Sequence, residues 1–273
     1  MSLVTRFTAA ATLAATTLAA TTLAVAILAV PLAGGASAKE WKTVRIGTEG
    51  AYPPFNYIEN GELKGFDVDI AKALCARMKV ECTFTAQDWD GIIPALLANK
   101  YDAIVASMSI TEERKQQIAF SKKYYKTPAT FVVPTGSAIT DTSPQALKGK
   151  VLGAQGSTIH SNYLEDVYAK AGAEVKLYGK QDEANLDLAN GRLDAVLADK
   201  VVLLEWLGTG EGKCCKFTGA EHTDPKYFGE GVGVGIRKDD PELVAMFNKA
   251  IDEIVADGTY KTINDKYFPF SVY

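Results

Sequence analysis

Residues 99–107 read Asn-Lys-Tyr-Asp-Ala-Ile-Val-Ala-Ser, and residues 190–199 read Asn-Gly-Arg-Leu-Asp-Ala-Val-Leu-Ala-Asp. Each follows a run ending in Leu-Ala-Asn and puts an aspartate before a short apolar, partly β-branched segment, the pattern of a helix that turns into a buried strand. A second echo precedes each: Ile46-Gly47-Thr48-Glu49-Gly50 is answered by Leu152-Gly153-Ala154-Gln155-Gly156. Two echoes in the same order describe one supersecondary plan used twice. Around them the chain alternates: strand 44–48, helix 66–78, strand 81–86, helix 92–99, strand 102–106. That order specifies an α/β fold of two similar lobes, each a mostly parallel sheet flanked by helices.

Asn60-Gly61 is a hairpin turn, and Pro53-Pro54 hold Glu49 and Tyr52 on a stiff loop at a strand end. Tyr124 to Pro128 forms one crossing between lobes. The glycine-rich Tyr227 to Gly235 lacks the helix that a phosphate-binding Gly-x-Gly-x-x-Gly loop requires and reads as a flexible return into a final strand. Asp240-Pro241 caps a helix over 242–256, and a last helix opens at Gly258-Thr259-Tyr260 and ends at Tyr267-Phe268.

After the first echo comes Met-Ser-Ile-Thr-Glu-Glu-Arg, residues 108–114. Thr111 is a helix N-cap, so Arg114 falls at the third helical position. A capping box would put Glu or Gln there, and the helix dipole disfavours a cation. Pairing with Glu112 or Glu113 on a solvated face is the bland account. The functional one is a carboxylate held by the guanidinium, the Ser107 and Ser109 hydroxyls and exposed backbone N–H groups.

Ligands of α/β sheets gather beyond the carboxyl ends of strands. Those ends bring Glu49, Tyr52, Ser107, Ser109 and Arg114 toward Ala154, Gln155, Ser157, Thr158 and Asp199. A zwitterion fits such a cleft, with its α-carboxylate on Arg114 and its α-ammonium on Asp199. Gly156-Ser157-Thr158 supplies further N–H donors for the same anion, or plain helix capping.

From Phe7 to Ala38 the chain carries no charge, Arg6 precedes the run, and Ala36-Ser37-Ala38 has the form of a signal-peptidase site. This predicts an export signal over 1–38, cut after Ala38; an uncleaved anchor is the other reading. Without Arg6, 28 basic residues face 33 acidic ones, a net charge of −5. A mildly acidic surface with no basic run argues against nucleic acid as a partner.

Of the four cysteines, Cys75 and Cys82 bracket a short loop that a disulfide could close. Adjacent Cys214 and Cys215 leave free thiols, a vicinal bridge and intermolecular pairing open. The absence of Cys-x-x-Cys spacing and the presence of only two histidines argue against a metal or redox site.

Stretches spread over nearly the whole mature chain carry a family resemblance. They are Gly47 to Phe55, Gly65 to Asp69, Asp102 to Arg114, Ile118 to Ser121, Gly156 to Thr158, Gly191 to Ala195, Lys226 to Gly229 and Gly233 to Lys238. Together they resemble the periplasmic solute-binding proteins for polar amino acids that serve ABC importers, in particular the lysine/arginine/ornithine and histidine binders, and also opine binders. The resemblance implies a type II periplasmic binding protein fold, with lobe 1 made of 39–125 and 232–273, lobe 2 of 129–222, and hinges at 126–128 and 223–231.

It further implies a Cys75–Cys82 disulfide, no cofactor, a monomer, and an inner-membrane ABC permease as partner. In the site, Arg114 would bind the ligand carboxylate with Ser109 and Thr158, and Asp199 the ammonium. Tyr52 and Trp89 would enclose the ligand side chain, and Glu49 would face its distal end. Glu49, Trp89 and Ala106 stand where the lysine/arginine/ornithine binders carry Asp, Phe and Ser, which reshapes the distal pocket. Trp89 over a guanidinium favours arginine.

Two other classes compete with binding. An enzyme of the cyclohexadienyl dehydratase kind would use Glu49 as general acid and needs its pKa raised. A sensor ectodomain would carry a transmembrane helix or fused kinase beyond Tyr273. Nucleophilic hydrolysis is disfavoured, because Ser157 lacks a Gly-x-Ser-x-Gly elbow and His160 and His222 read as surface residues. The sequence therefore favours capture over catalysis.

Overall fold

The computed structural model describes residues 40–273. The predicted export signal and the cut after Ala38 lie outside the described residues. In chain order the elements are β1 (Thr43–Thr48), β2 (Ala51–Tyr52), β3 (Asn56–Glu59), β4 (Glu62–Lys64), α1 (Phe66–Met78), β5 (Glu81–Ala86), α2 (Ile92–Leu97), β6 (Ala103–Ile104), α3 (Glu112–Lys115), β7 (Ala119–Tyr125) and β8 (Ala129–Pro134). They continue with β9 (Val151–Gln155), α4 (Ile159–Tyr163), β10 (Glu174–Tyr178), α5 (Gln181–Ala189), β11 (Ala195–Asp199), α6 (Lys200–Gly208), β12 (Cys215–His222), α7 (Pro225–Phe228), β13 (Val232–Ile236), α8 (Pro241–Ala256) and α9 (Thr259–Tyr267). Among the described residues no helix is long and apolar enough to cross a membrane.

Two five-stranded sheets share one plan, β5-β1-β6-β13-β7 and β10-β9-β11-β8-β12. In each, four strands run one way and a single strand opposes them, β13 in the first sheet and β8 in the second. The opposed strand is in both cases the one that has just crossed from the other sheet. Residues 126–128 join β7 to β8, and residues 223–231 lead from β12 back to β13. The return is less loose than its glycines suggest, because Asp224 caps α7 within it by accepting the Lys226 N–H at 3.0 Å.

The repeated aspartates explain the internal echo. Asp102 Oδ2 accepts the Arg45 backbone N–H at 3.0 Å, and Asp194 Oδ2 accepts the Val151 N–H at 2.8 Å. Each aspartate's own N–H returns a bond to the same strand, to the Arg45 and Val151 carbonyls, both at 2.8 Å. Each pins the start of its strand to the strand beside it. The glycines of the second echo serve the residue before each aspartate: a Cβ on Gly47 would stand 2.5 Å from the Tyr101 ring, and one on Gly153 would stand 2.4 Å from Leu193 Cδ1. The echo is thus one packing unit made twice.

Alternation along each strand sends side chains to opposite faces. In β8, Phe131 and Val133 enter one apolar cluster and Val132 another; in β11, Ala195 and Leu197 oppose Val196 and Ala198. Over the first sheet, α8 buries Leu243, Phe247, Ala250, Ile251 and Ile254, a stripe with helical spacing, against Val234, Ile236 and the α1 residues Ile70 and Leu74. α2 covers the other face with Ile92 and Leu96 against Ile104. Helices on both faces leave only the strand ends free to build a site.

Three local expectations need correction or completion. The strand expected at 102–106 is regular only over Ala103–Ile104, because Ser107 turns the backbone left-handed at φ 54°; the Val105 N–H still reaches the Gly47 carbonyl at 3.0 Å. Asn60 and Gly61, at φ 54° and 80°, make the predicted hairpin between β3 and β4. Cys75 is joined to Cys82 between α1 and β5, closing a short loop worth about 2–3 kcal/mol by chain entropy, and Cys214 is joined to its neighbour Cys215.

Candidate functional site

The free strand ends converge on one cavity. From the first sheet it takes Glu49 and Tyr52 after β1, Trp89 after β5, Ala106, Ser107 and Ser109 after β6, and Arg114 from α3. The second sheet gives Gln155 at the end of β9, Thr158, Ile159 and His160 at the start of α4, and Asp199 at the end of β11.

Arg114 holds the position its sequence suggested. The Thr111 hydroxyl accepts the Arg114 N–H at 3.3 Å, as an N-cap does, so the side chain leaves the first turn of a four-residue helix. Its Nη1 donates to the Ser109 carbonyl at 3.1 Å, and its guanidinium carbon lies 5.2 Å from the centre of the Trp89 ring. Among the described residues no carboxylate forms an ion pair with it. Burial pulls its pKa down to about 10 against the opposing pull of Glu113. A desolvated cation answered by a carbonyl and an aromatic face is a receptor for an anion.

The acids lie on other walls. Asp199 accepts from Tyr52 Oη at 2.7 Å and from Thr127 Oγ1 at 2.8 Å, and His160 Nε2 is 3.9 Å away. Glu49, only 7% exposed, accepts from Gln155 Nε2 at 2.5 Å. Burial lifts the Glu49 pKa to about 7, while the Gln155 hydrogen bond and Lys180 pull it back. Two of these contacts, Tyr52 to Asp199 and Gln155 to Glu49, tie a strand end of one sheet to a strand end of the other. The indole N–H of Trp89 makes a third tie, to the Ser157 carbonyl at 2.9 Å.

The remaining predicted residues are used differently. Ser107 lines the cavity but donates its hydroxyl to Asp67 at 2.9 Å. Asp67 is fully buried and also accepts from Tyr124 Oη at 2.7 Å and Asn56 Nδ2 at 2.9 Å; burial raises its pKa to about 6 against these hydrogen bonds. Thr158 lines the cavity with its hydroxyl in a capping box, donating to the Gln155 carbonyl at 2.7 Å and accepting the Ser161 N–H at 3.1 Å. Its own N–H goes to Ser161 Oγ at 3.0 Å. Ala154 is packed in the core of the second sheet, and Ser157, at φ 57°, lines a neighbouring groove instead.

Sequence reasoning missed Ile159 and His160 as cavity residues and Asp67 as the anchor of Ser107. The expectation that His160 is a surface residue is overturned, since it is only 4% exposed. His222 is half-buried at the end of β12. A usable signal existed: the first turn of a helix that follows a strand end faces the same crevice as that end. Among the described residues no group of three His, Cys, Asp or Glu side chains is arranged to hold a metal ion.

The chain is 52% identical over 235 residues to the L-arginine-binding protein of Pseudomonas aeruginosa, covering 85% of this chain and 90% of that one. It is 47% identical over 235 residues to the lysine/arginine/ornithine-binding periplasmic protein of Escherichia coli, covering 85% and 90%. A solved structure of an ancestral arginine-binding protein bound to arginine superposes with a TM-score of 0.76 at 40% identity, covering 83% of this chain and 98% of that one. The sequence pattern of the bacterial extracellular solute-binding proteins, family 3, matches residues 44–270. With most of its length inside that match, the chain belongs to this family.

Proposed function

We propose that the protein is the substrate-binding component of an ABC importer, capturing a cationic amino acid for delivery to an inner-membrane permease. Arginine is favoured over lysine, ornithine and histidine. Arg114 carries the reading: a guanidinium in a cavity, met by no carboxylate of the described residues, across from Asp199 and Glu49. In this reading Arg114 and Ser109 take the α-carboxylate, Asp199 takes the α-ammonium, Tyr52 and Trp89 flank the side chain, and Glu49 meets its cationic end.

The two sheets are then lobes, 39–125 with 232–273 and 129–222, that close about the crossings at 126–128 and 223–231. A ligand that touches both stabilises the closed form by its preference for it. Micromolar affinity requires about 8 kcal/mol, within reach of two charged contacts and aromatic packing. Export with cleavage after Ala38 and action as a periplasmic monomer complete the proposal.

One observation favours a second reading. A carboxyl group lifted to about 7, as Glu49 is, can act as a general acid of a dehydratase. Isothermal titration with arginine, lysine, ornithine, histidine, octopine and prephenate, followed by analysis of the recovered ligand, separates the two. Saturable binding of arginine recovered unchanged supports capture; turnover of prephenate with no arginine binding overturns it.

A further inference from the structure

His160 is buried in the first turn of α4, and its Nε2 has no hydrogen-bond partner among the described residues. A buried polar atom left in that state is costly unless something meets it. The carboxylate nearest to it, Asp199 Oδ2, is 3.9 Å away, beyond hydrogen-bond distance, and both residues line the cavity. Phe228 of α7 backs the ring at 6.2 Å between centroids. The titratable groups acting on it are Asp199 from β11, Arg114 from α3 and His222 from β12.

We infer that His160 is the second wall of the ammonium subsite: its neutral ring leaves the Asp199 carboxylate to an incoming ammonium, and its protonated ring takes that carboxylate for itself. The inference rests on the proposed reading of Asp199 as the ammonium acceptor. A neutral imidazole can accept an ammonium N–H through its lone pair or, in the other tautomer, donate to Asp199; in both cases the carboxylate keeps its charge for the ligand. An imidazolium cancels that charge and adds a cation beside Arg114. Burial already disfavours the charged ring, Asp199 opposes that effect, and Arg114 and His222 reinforce it, so the ring lies below the ordinary histidine value of 6.5. The cavity is therefore set in its receptive form at neutral pH.

By linkage, an ammonium that excludes the proton must lower the pKa of His160 when it binds. The chain has two histidines, so imidazole NMR of the wild type and of His222→Gln identifies the His160 signal. Titration with and without saturating L-arginine should show the His160 midpoint falling by at least about one pH unit on binding. Calorimetry should show arginine affinity weakening by up to about tenfold per pH unit below the free midpoint. His160→Gln should flatten that limb and keep the separate limb that Glu49 contributes near pH 7.

A His160 midpoint unmoved in protein that calorimetry finds saturated overturns the inference, as does a ring that stays neutral across the range, or an acid limb unchanged in His160→Gln. If that variant does not fold, the wild-type NMR titration decides alone. Protein that binds arginine at no pH overturns the amino-acid-binding reading itself, a different result from any of these.

Discussion

The Trp89 indole N–H donates to the Ser157 carbonyl at 2.9 Å, so the ring that covers the Arg114 guanidinium also joins the two sheets across the cavity. Trp89→Phe keeps an aromatic face over Arg114 and removes that tie. A neutral hydrogen bond contributes about 1 kcal/mol net, so arginine affinity should fall about fivefold. The loss should lie in dissociation rate, read by stopped flow, because the tie forms only once the sheets have approached. An unchanged dissociation rate would mean that the bond does no holding.

Arg114→Ala should cost every amino-acid ligand more than about 100-fold in affinity, since truncating one partner of a buried charge pair costs about 3–5 kcal/mol. Arg114→Lys should recover only part, because an ammonium lacks the planar fork. Among the described residues the side chain makes one hydrogen bond to the protein, so melting temperature should change little. A variant that melts normally and binds arginine normally would remove Arg114 from the site.

Much of this was legible in the sequence because it is local. The Tyr-Asp and Leu-Asp echoes give away the duplicated sheet, since each aspartate's bonds with backbone groups stay with the strand beside it, and Arg114 stands out by contrast with its own cap. What was hidden depends on neighbours distant in the chain. Ser107 reads as a ligand donor until Asp67, 40 residues earlier, takes its hydroxyl. Thr158 reads as either donor or cap, and Ser161 engages it as a cap. His160 is an unremarkable helical residue until Asp199 and Phe228 are folded against it. Periodicity carries burial within an element; it carries nothing about which side chain of another element arrives at the same point.

Glu49 should trade stability for affinity. Burial raises its folded-state pKa from 4.5 to about 7, so its favourable contribution is complete below 4.5 and lost as pH rises through 7. Ionised, it costs the ligand-free protein about 3 kcal/mol. Glu49→Gln should therefore raise the melting temperature at pH 8 by about 5–10 °C. The same change should weaken arginine and remove the affinity limb near pH 7, because a cationic side-chain end binds the ionised form. Differential scanning calorimetry and titration calorimetry on one preparation check both halves, and a variant less stable at pH 8 would contradict the burial argument.

Asp102 carries the opposite sign. Burial pushes its pKa up, but the Arg45 side chain and N–H together with Arg237 outweigh that and hold it at about 2, below the ordinary 3.8. Its stabilisation is thus fully present above 3.8 and lost as pH falls through 2. It amounts to about 2 kcal/mol at neutral pH. Asp102→Asn should lower the melting temperature at pH 7 by about 4–8 °C, with the gap to wild type closing at pH 2. Asp194, the matching residue of the second sheet, is partnered by Lys150 at 3.3 Å in place of two guanidinium groups, and its side chain is about one-third exposed. Asp194→Asn should accordingly cost less at pH 7, so equal losses from the two variants would show that the strand N–H bond they share, and not the guanidinium groups, accounts for the stabilisation.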